Sequence, residues 1–123
     1  MSLSVRVEEG RSFSKTLVLE GRLDNQTVGI LDEQLDPVLV SALKVLVFDL
    51  SGLEYISSAG LRSIFRAQKS MRARAGKAVM VGLQPQVQKV FDIVKAADVD
   101  SVFRSVQELD AYLDTMQRKM TDG

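Results

Sequence analysis

Histidine and cysteine are both missing from the 123 residues. Without histidine the chain lacks the commonest general base and metal ligand. Without cysteine, disulfides, thiol catalysis and zinc–thiolate sites are excluded, and the composition fits a reducing compartment. A net charge of either sign is also lacking, because 16 Lys and Arg balance 16 Asp and Glu. That balance argues against nucleic acid or an anionic membrane as principal partner, since both attract a positive field. No apolar run approaches the roughly 20 residues of a membrane helix, and Met1–Arg6 holds no apolar signal region. A cytoplasmic, soluble protein is expected. Linkers, low-complexity segments and internal repeats are absent too, so residues 1–123 are expected to form one domain with a core over about 3–118. A chain of this size removes roughly two-thirds of its unfolded surface from water.

What is present alternates strand and helix patterns. Ser4–Glu8 and Thr16–Glu20 alternate apolar and polar residues around a Glu9-Gly10-Arg11 turn and predict an early hairpin. Gly21-Arg22-Leu23-Asp24-Asn25 ends the second strand, and Asp24, Asn25 or Thr27 can cap a helix with Val28, Leu31, Leu35 and Leu39 on one face. Pro37 predicts that this helix ends or kinks near Asp36. Val45–Phe48 reads as a central strand covered on both faces, followed by an Asp49-Leu50-Ser51-Gly52 loop. A helix over about Ala59–Ala75 buries Leu61, Ile64, Phe65 and Met71, turns Arg62, Arg66, Lys69, Arg72 and Arg74 outward, and stops at a Gly76 cap. Lys77–Leu83 reads as another buried strand. Pro85 starts a helix carrying Val87, Val90, Phe91 and Val94 and closed by Ala96-Ala97-Asp98. Val102-Phe103 reads as a short last strand. Ser105 and Glu108 form a capping-box pattern before a final helix lined by Val106, Leu109, Leu113, Met116 and Met120, with Thr121–Gly123 frayed.

The chemistry points to one turn. Ser57-Ser58-Ala59-Gly60 are all small, lie outside the carboxyl end of the central strand and open a helix, where α/β sheets keep functional groups. Serine hydrolysis is disfavoured, because Ile56 stands where a nucleophile elbow requires glycine and no histidine base exists. No glycine-rich phosphate loop with lysine is present, so Gly52 and Gly60 read as turn glycines and a nucleotide-handling enzyme is the outlying alternative. Asp49 reads as a loop-fixing acceptor.

Asp49-Leu50-Ser51-Gly52-Leu53, Tyr55-Ile56 and Ser57-Ser58-Ala59-Gly60-Leu61 together resemble the signature of STAS domains, the family of bacterial anti-sigma factor antagonists. The likeness extends upstream to Gly21-Arg22-Leu23-Asp24 and downstream from Gln84-Pro85 to Phe91-Asp92, nearly the whole chain. It implies an α/β fold: a mixed sheet of about four to five strands with about four helices against it. It implies a regulatory protein, not an enzyme and without a cofactor, that binds an anti-sigma factor acting as serine kinase and is released on phosphorylation; a phosphatase would reset it. The family's phosphoacceptor falls on Ser58. Many phosphorylated members carry aspartate where this chain has Ser57 and a hydroxyl residue where it has Ala59, so Ser57 is a second candidate acceptor. The implied docking surface comprises Asp24, Ser57, Ser58, Ala59, Gly60, Leu61, Arg62 and Arg66.

Plainer roles stand beside these. Ser57 and Ser58 can be helix caps, Asp24 likewise, and Arg62 and Arg66 a solvated helix face. The apolar stripe of the final helix can pack on the domain's own sheet or attract another subunit. An adaptor that works without phosphorylation, as a subunit of a transporter or stress-signalling assembly, is the alternative function.

Overall fold

A computed structural model describes residues 2–11, 13–96 and 105–122. The early hairpin forms as expected: β1 (Leu3–Glu9) pairs antiparallel with β2 (Ser14–Leu23). Helix α1 (Val28–Leu39) leads to β3 (Val45–Ile56), which pairs parallel with β2. Helix α2 (Ser58–Ala73) crosses to β4 (Lys77–Val81), parallel to β3, and is followed by α3 (Pro85–Ala96) and α4 (Val106–Asp122). The described strands make one mixed sheet in the order β1-β2-β3-β4. Val102-Phe103 and the Ala97-Asp98 end of α3 lie outside the described residues.

Several local expectations are corrected. Helix α1 does not stop at Asp36 but runs through Pro37 to Leu39. Proline this near the end forfeits a single ladder bond, while Leu31, Leu35, Val38 and Leu39 stay buried. Strand β2 ends at Leu23, within the expected Gly21–Asn25 stretch, after running through Gly21. Gly21 takes φ +107°, and a Cβ there would lie 2.2 Å from the Ser2 carbonyl oxygen, so the strand passes it only because it is glycine. The Asp49–Gly52 loop is instead part of β3: between the pairs Val18↔Asp49 and Glu20↔Gly52 the longer strand carries an extra residue, a β-bulge. The turn chemistry survives inside it, since Asp49 Oδ1 accepts the Ser51 N–H at 3.1 Å and the Ser51 hydroxyl at 2.7 Å. Those bonds hold the Asp49 carboxyl below its usual range.

The far end of α2 is closed by a Schellman motif rather than by glycine alone. Ala75 takes the left-handed conformation, its N–H bonds the Arg72 carbonyl, and the Gly76 N–H bonds the Met71 carbonyl at 2.8 Å. Arg74 is not turned outward, because its guanidinium folds back onto the Leu39 and Ser41 carbonyls behind α1. Strand β4 is shorter than expected and only partly covered, as the last strand of the described sheet. Helix α4 keeps its last turn to Asp122 instead of fraying at Thr121, whose hydroxyl bonds the Gln117 and Arg118 carbonyls. Met120 is exposed, and Gln117 takes the buried place on that face. The core gathers Leu17 and Leu19 of β2, Leu46, Phe48 and Leu50 of β3, and Ile64, Val90 and Phe91 of the helices. Phe65 meets Phe91 edge to face with centroids 6.1 Å apart.

Candidate functional site

The β3–α2 junction is assembled from four parts of the chain. Strand β2 supplies the Leu23 carbonyl, which accepts the Ser57 N–H at 2.9 Å and ties the turn to the sheet. Ser57 is the N-cap residue, with extended backbone (φ −100°, ψ 177°), and its carbonyl accepts the Leu61 N–H that opens the helical ladder. Its side chain makes no capping bond. Ser57 and Ser58 are only 4% and 6% exposed, and neither hydroxyl oxygen has a hydrogen-bond partner. Buried hydroxyls are ordinarily satisfied, and an unmet one costs about 1–3 kcal/mol.

What caps α2 comes from 52 residues downstream. Asp110 Oδ1 accepts the Ser58 N–H at 2.9 Å, setting a carboxylate against the positive end of the helix dipole. Two further side chains of α4 reach the same junction. Gln117 brackets Ile56, accepting its N–H and donating to its carbonyl, both at 2.9 Å. It thereby takes the place of a neighbouring strand at the end of β3. Asp114 faces the Tyr55 hydroxyl; burial first, then this carboxylate, push the phenol up to about 12. The Arg22 guanidinium lies 3.8 Å from the Tyr55 ring centroid. None of Asp110, Asp114 and Gln117 was singled out from sequence. Their spacing of four and then three residues puts them on one helix face, and Gln117 interrupts an otherwise apolar stripe, which is the signal that was available.

The structure brings the expected residues together without leaving them all at the surface. Gly60 and Leu61 are buried with the two serines. Gly60 is a packing glycine inside α2, not a turn glycine: a Cβ would approach Leu23 Cγ to 2.6 Å and Ile56 Cγ1 to 3.0 Å. Ala59 and Arg62 remain reachable. Arg66 is exposed but ion-paired to α1, 3.1 Å from Asp32 and 3.0 Å from Asp36. Asp24 builds the neighbouring turn, where its Oδ1 accepts the N–H groups of Gln26 and Thr27 at 3.0 and 3.2 Å. Two depressions of about 290 Å³ flank the junction. One is bordered by Asp24, Tyr55, Ser57 and Asp110, the other by Asp32, Ala59, Arg62 and Arg66.

No described group of acidic residues is arranged to hold a metal, and no described helix is long and apolar enough to cross a membrane. The STAS domain profile matches residues 4–109, most of the chain. The chain belongs to the STAS domain family. This STAS domain is 28% identical over 99 residues to the anti-sigma-B factor antagonist of Listeria monocytogenes, covering 80% of this chain and 87% of that one. Its fold is similar to the anti-sigma factor antagonist SpoIIAA in its unphosphorylated form, with a TM-score of 0.63 at 19% identity over 72% of this chain and 82% of the other. It is similar also to the Bacillus cell-fate determinant SpoIIAA in its phosphorylated form, with a TM-score of 0.64 at 17% identity over 82% and 98%.

Proposed function

We propose that this STAS domain is an anti-sigma factor antagonist that works by partner switching. Its unphosphorylated form binds an anti-sigma factor that is also a serine kinase, through the surface around the β3–α2 junction and the Asp24 turn. Phosphorylation of Ser58 releases that partner, and a phosphatase restores binding. The observation that carries the reading is the pair of unpartnered serine hydroxyls at the N-terminus of α2, on the motif by which the chain resembles its family. The names of the relatives support it. The reading is of a binding protein and not an enzyme, since the junction offers hydroxyls but no histidine to activate them.

The physical argument rests on charge. A phosphate adds about −1.5 to −2 units at neutral pH. A partner seated over small residues would then have to desolvate a dianion in a surface shaped for hydroxyl, methyl and glycine. A hundredfold loss of affinity needs only about 2.7 kcal/mol, well within such a mismatch. Phosphopeptide mass spectrometry on the protein from its native cells, in growth and in stress, resolves Ser58 from Ser57; occupancy at Ser58 that changes with condition is expected. Ser58→Ala should keep affinity for the anti-sigma factor and Ser58→Asp should lose it. Equal binding by the two variants sinks the switch.

The burial of both serines favours a second reading, in which the domain is an adaptor subunit never phosphorylated. Serines unmodified in every condition would make that reading the better one.

A further inference from the structure

We infer that the domain carries a second docking surface at the pole opposite Ser58, an apolar groove around Phe13 with a basic rim, which takes an acidic, amphipathic segment of a partner protein. The two most exposed large apolar side chains among the described residues, Val40 at 85% and Phe13 at 63%, border one depression of about 470 Å³. A second, of about 240 Å³, shares Phe13, Ala42 and Leu43 with it. Neither backbone nor core accounts for the aromatic. Phe13 stands at φ +65°, a left-handed conformation that is rare for a bulky residue and that glycine adopts freely. The conformation itself serves the fold, since the Phe13 carbonyl accepts the Lys44 and Val45 N–H groups at 2.8 and 3.0 Å and ties the hairpin to the start of β3. Glycine would make both bonds without strain. The ring, mostly in water, is the part that the fold does not use, and an exposed apolar patch at a strained residue is the mark of a contact surface.

Charge identifies the occupant. Arg11, Lys15, Lys44 and Arg74 border the two depressions against one carboxylate, Glu9, although the chain as a whole is balanced. Lys15 lies 3.7 Å from Glu9. Among the described residues Arg11, Lys44 and Arg74 have no carboxylate partner. Lys44 Nζ donates to the Arg74 carbonyl at 2.8 Å and the Arg74 guanidinium to the Leu39 and Ser41 carbonyls, neutral acceptors that leave both charges uncompensated. A complementary ligand brings carboxylates to the rim and aliphatic or aromatic side chains to the groove, which is the pattern of an acidic amphipathic helix. A second copy docking by the same face would set cations against cations. An anionic bilayer is flat and leaves the depressions unfilled. The groove lies where β3 begins and the Ser58 junction where it ends, 12 residues or roughly 35 Å apart. A partner held at Phe13 therefore leaves the junction open, and the domain can keep one protein while exchanging another.

The probe is a synthetic helical peptide with glutamate on one face and leucine and phenylalanine on the other, beside a counterpart with lysine in place of every glutamate. Titrated into the isotope-labelled protein at low salt, the glutamate peptide should shift the amide signals of Phe13, Ser41 and Lys44 and leave those of Ser57 and Arg62 unmoved. Phe13→Gly, which the local backbone accommodates, should keep its circular dichroism spectrum and lose affinity at least about tenfold. Lys44→Glu combined with Arg11→Glu should lose about as much and let the lysine peptide bind. No binding of the glutamate peptide, equal binding of the two peptides by the parent, or equal affinity of parent and Phe13→Gly overturns the proposal. In a second arm Phe13→p-benzoylphenylalanine is crosslinked by light in native cells and the joined peptide is sequenced. An acidic, amphipathic segment of another protein is expected, with or without Ser58→Asp. A crosslink only to lipid, to a second copy of this chain or to a basic segment overturns the groove, as does no crosslink at all. Neither arm depends on Ser58, so failure here leaves the phosphorylation switch standing, and failure of the switch leaves the groove.

Discussion

Two helices of this domain begin with serine at the N-cap, and the two serines behave differently. Ser105 opens α4 in the ordinary way, its Oγ accepting the Glu108 N–H at 3.1 Å. Ser57 opens α2 and makes no such bond, although its hydroxyl is buried where a bond is most needed. The difference lies outside both segments. At α2 the Ser58 N–H meets a carboxylate delivered by another helix, and a charge-assisted bond to Asp110 is stronger than one to a hydroxyl. A capping residue is thus a local offer that the tertiary structure can decline. The declined hydroxyl is left without a hydrogen-bond partner.

The contrast can be broken most severely at Gln117. Gln117→Leu strands the buried N–H and carbonyl of Ile56 and should cost about 2–4 kcal/mol, read as a lower urea midpoint. Gly60→Ala pushes a methyl into Leu23 and Ile56 and should cost about 1–3 kcal/mol in the same measurement. The serines themselves sharpen the comparison. Ser105→Ala should lose about 1 kcal/mol, whereas Ser57→Ala should stay within about 0.5 kcal/mol of the parent or gain stability, because no bond is lost. A Ser57→Ala loss matching that of Ser105→Ala would show that the hydroxyl caps α2 after all.

A pH dependence is expected at Tyr55. Its phenol is raised in the fold from about 10 to about 12, so the folded state favours the neutral form. That contribution is fully present below pH 10 and is lost as pH rises toward 12, when the unfolded phenol ionises and the folded one does not. Tyr55→Phe should therefore flatten the fall of the melting temperature across this window. An identical slope in the two proteins would mean that the fold does not hold the Tyr55 phenol in its neutral form.

Much of the fold was legible because it is written in short-range patterns. The alternation of Ser4–Glu8, the apolar run Val45–Phe48 and the spacing of Leu31 and Leu35 each identify an element without reference to the rest of the chain. Readings failed where a neighbour overruled a local rule. Asp49-Leu50-Ser51-Gly52 has loop chemistry, yet pairing with β2 absorbs it as a bulge. Pro37 is a helix breaker, yet packing of Val38 and Leu39 carries α1 past it. Arg74 looked like one of a row of outward cations, and only the approach of the α1 end explains why it turns back. The candidate site could be read at Ser57-Ser58, whereas the burial of these serines and their α4 neighbours could not.

By itself the sequence determined that the chain makes alternating strands and helices around an apolar β3, that two hydroxyls stand at the start of α2, and that no histidine or cysteine accompanies them. These follow from composition and from periods of two and 3.6 residues, which need no knowledge of distant contacts. Only the tertiary structure decided that Asp110, rather than Ser57, caps α2, that Gln117 completes the end of β3, and that both hydroxyls are closed from water. Those outcomes depend on where α4 comes to rest, which is fixed by contacts between residues 52 to 61 positions apart that no local pattern encodes.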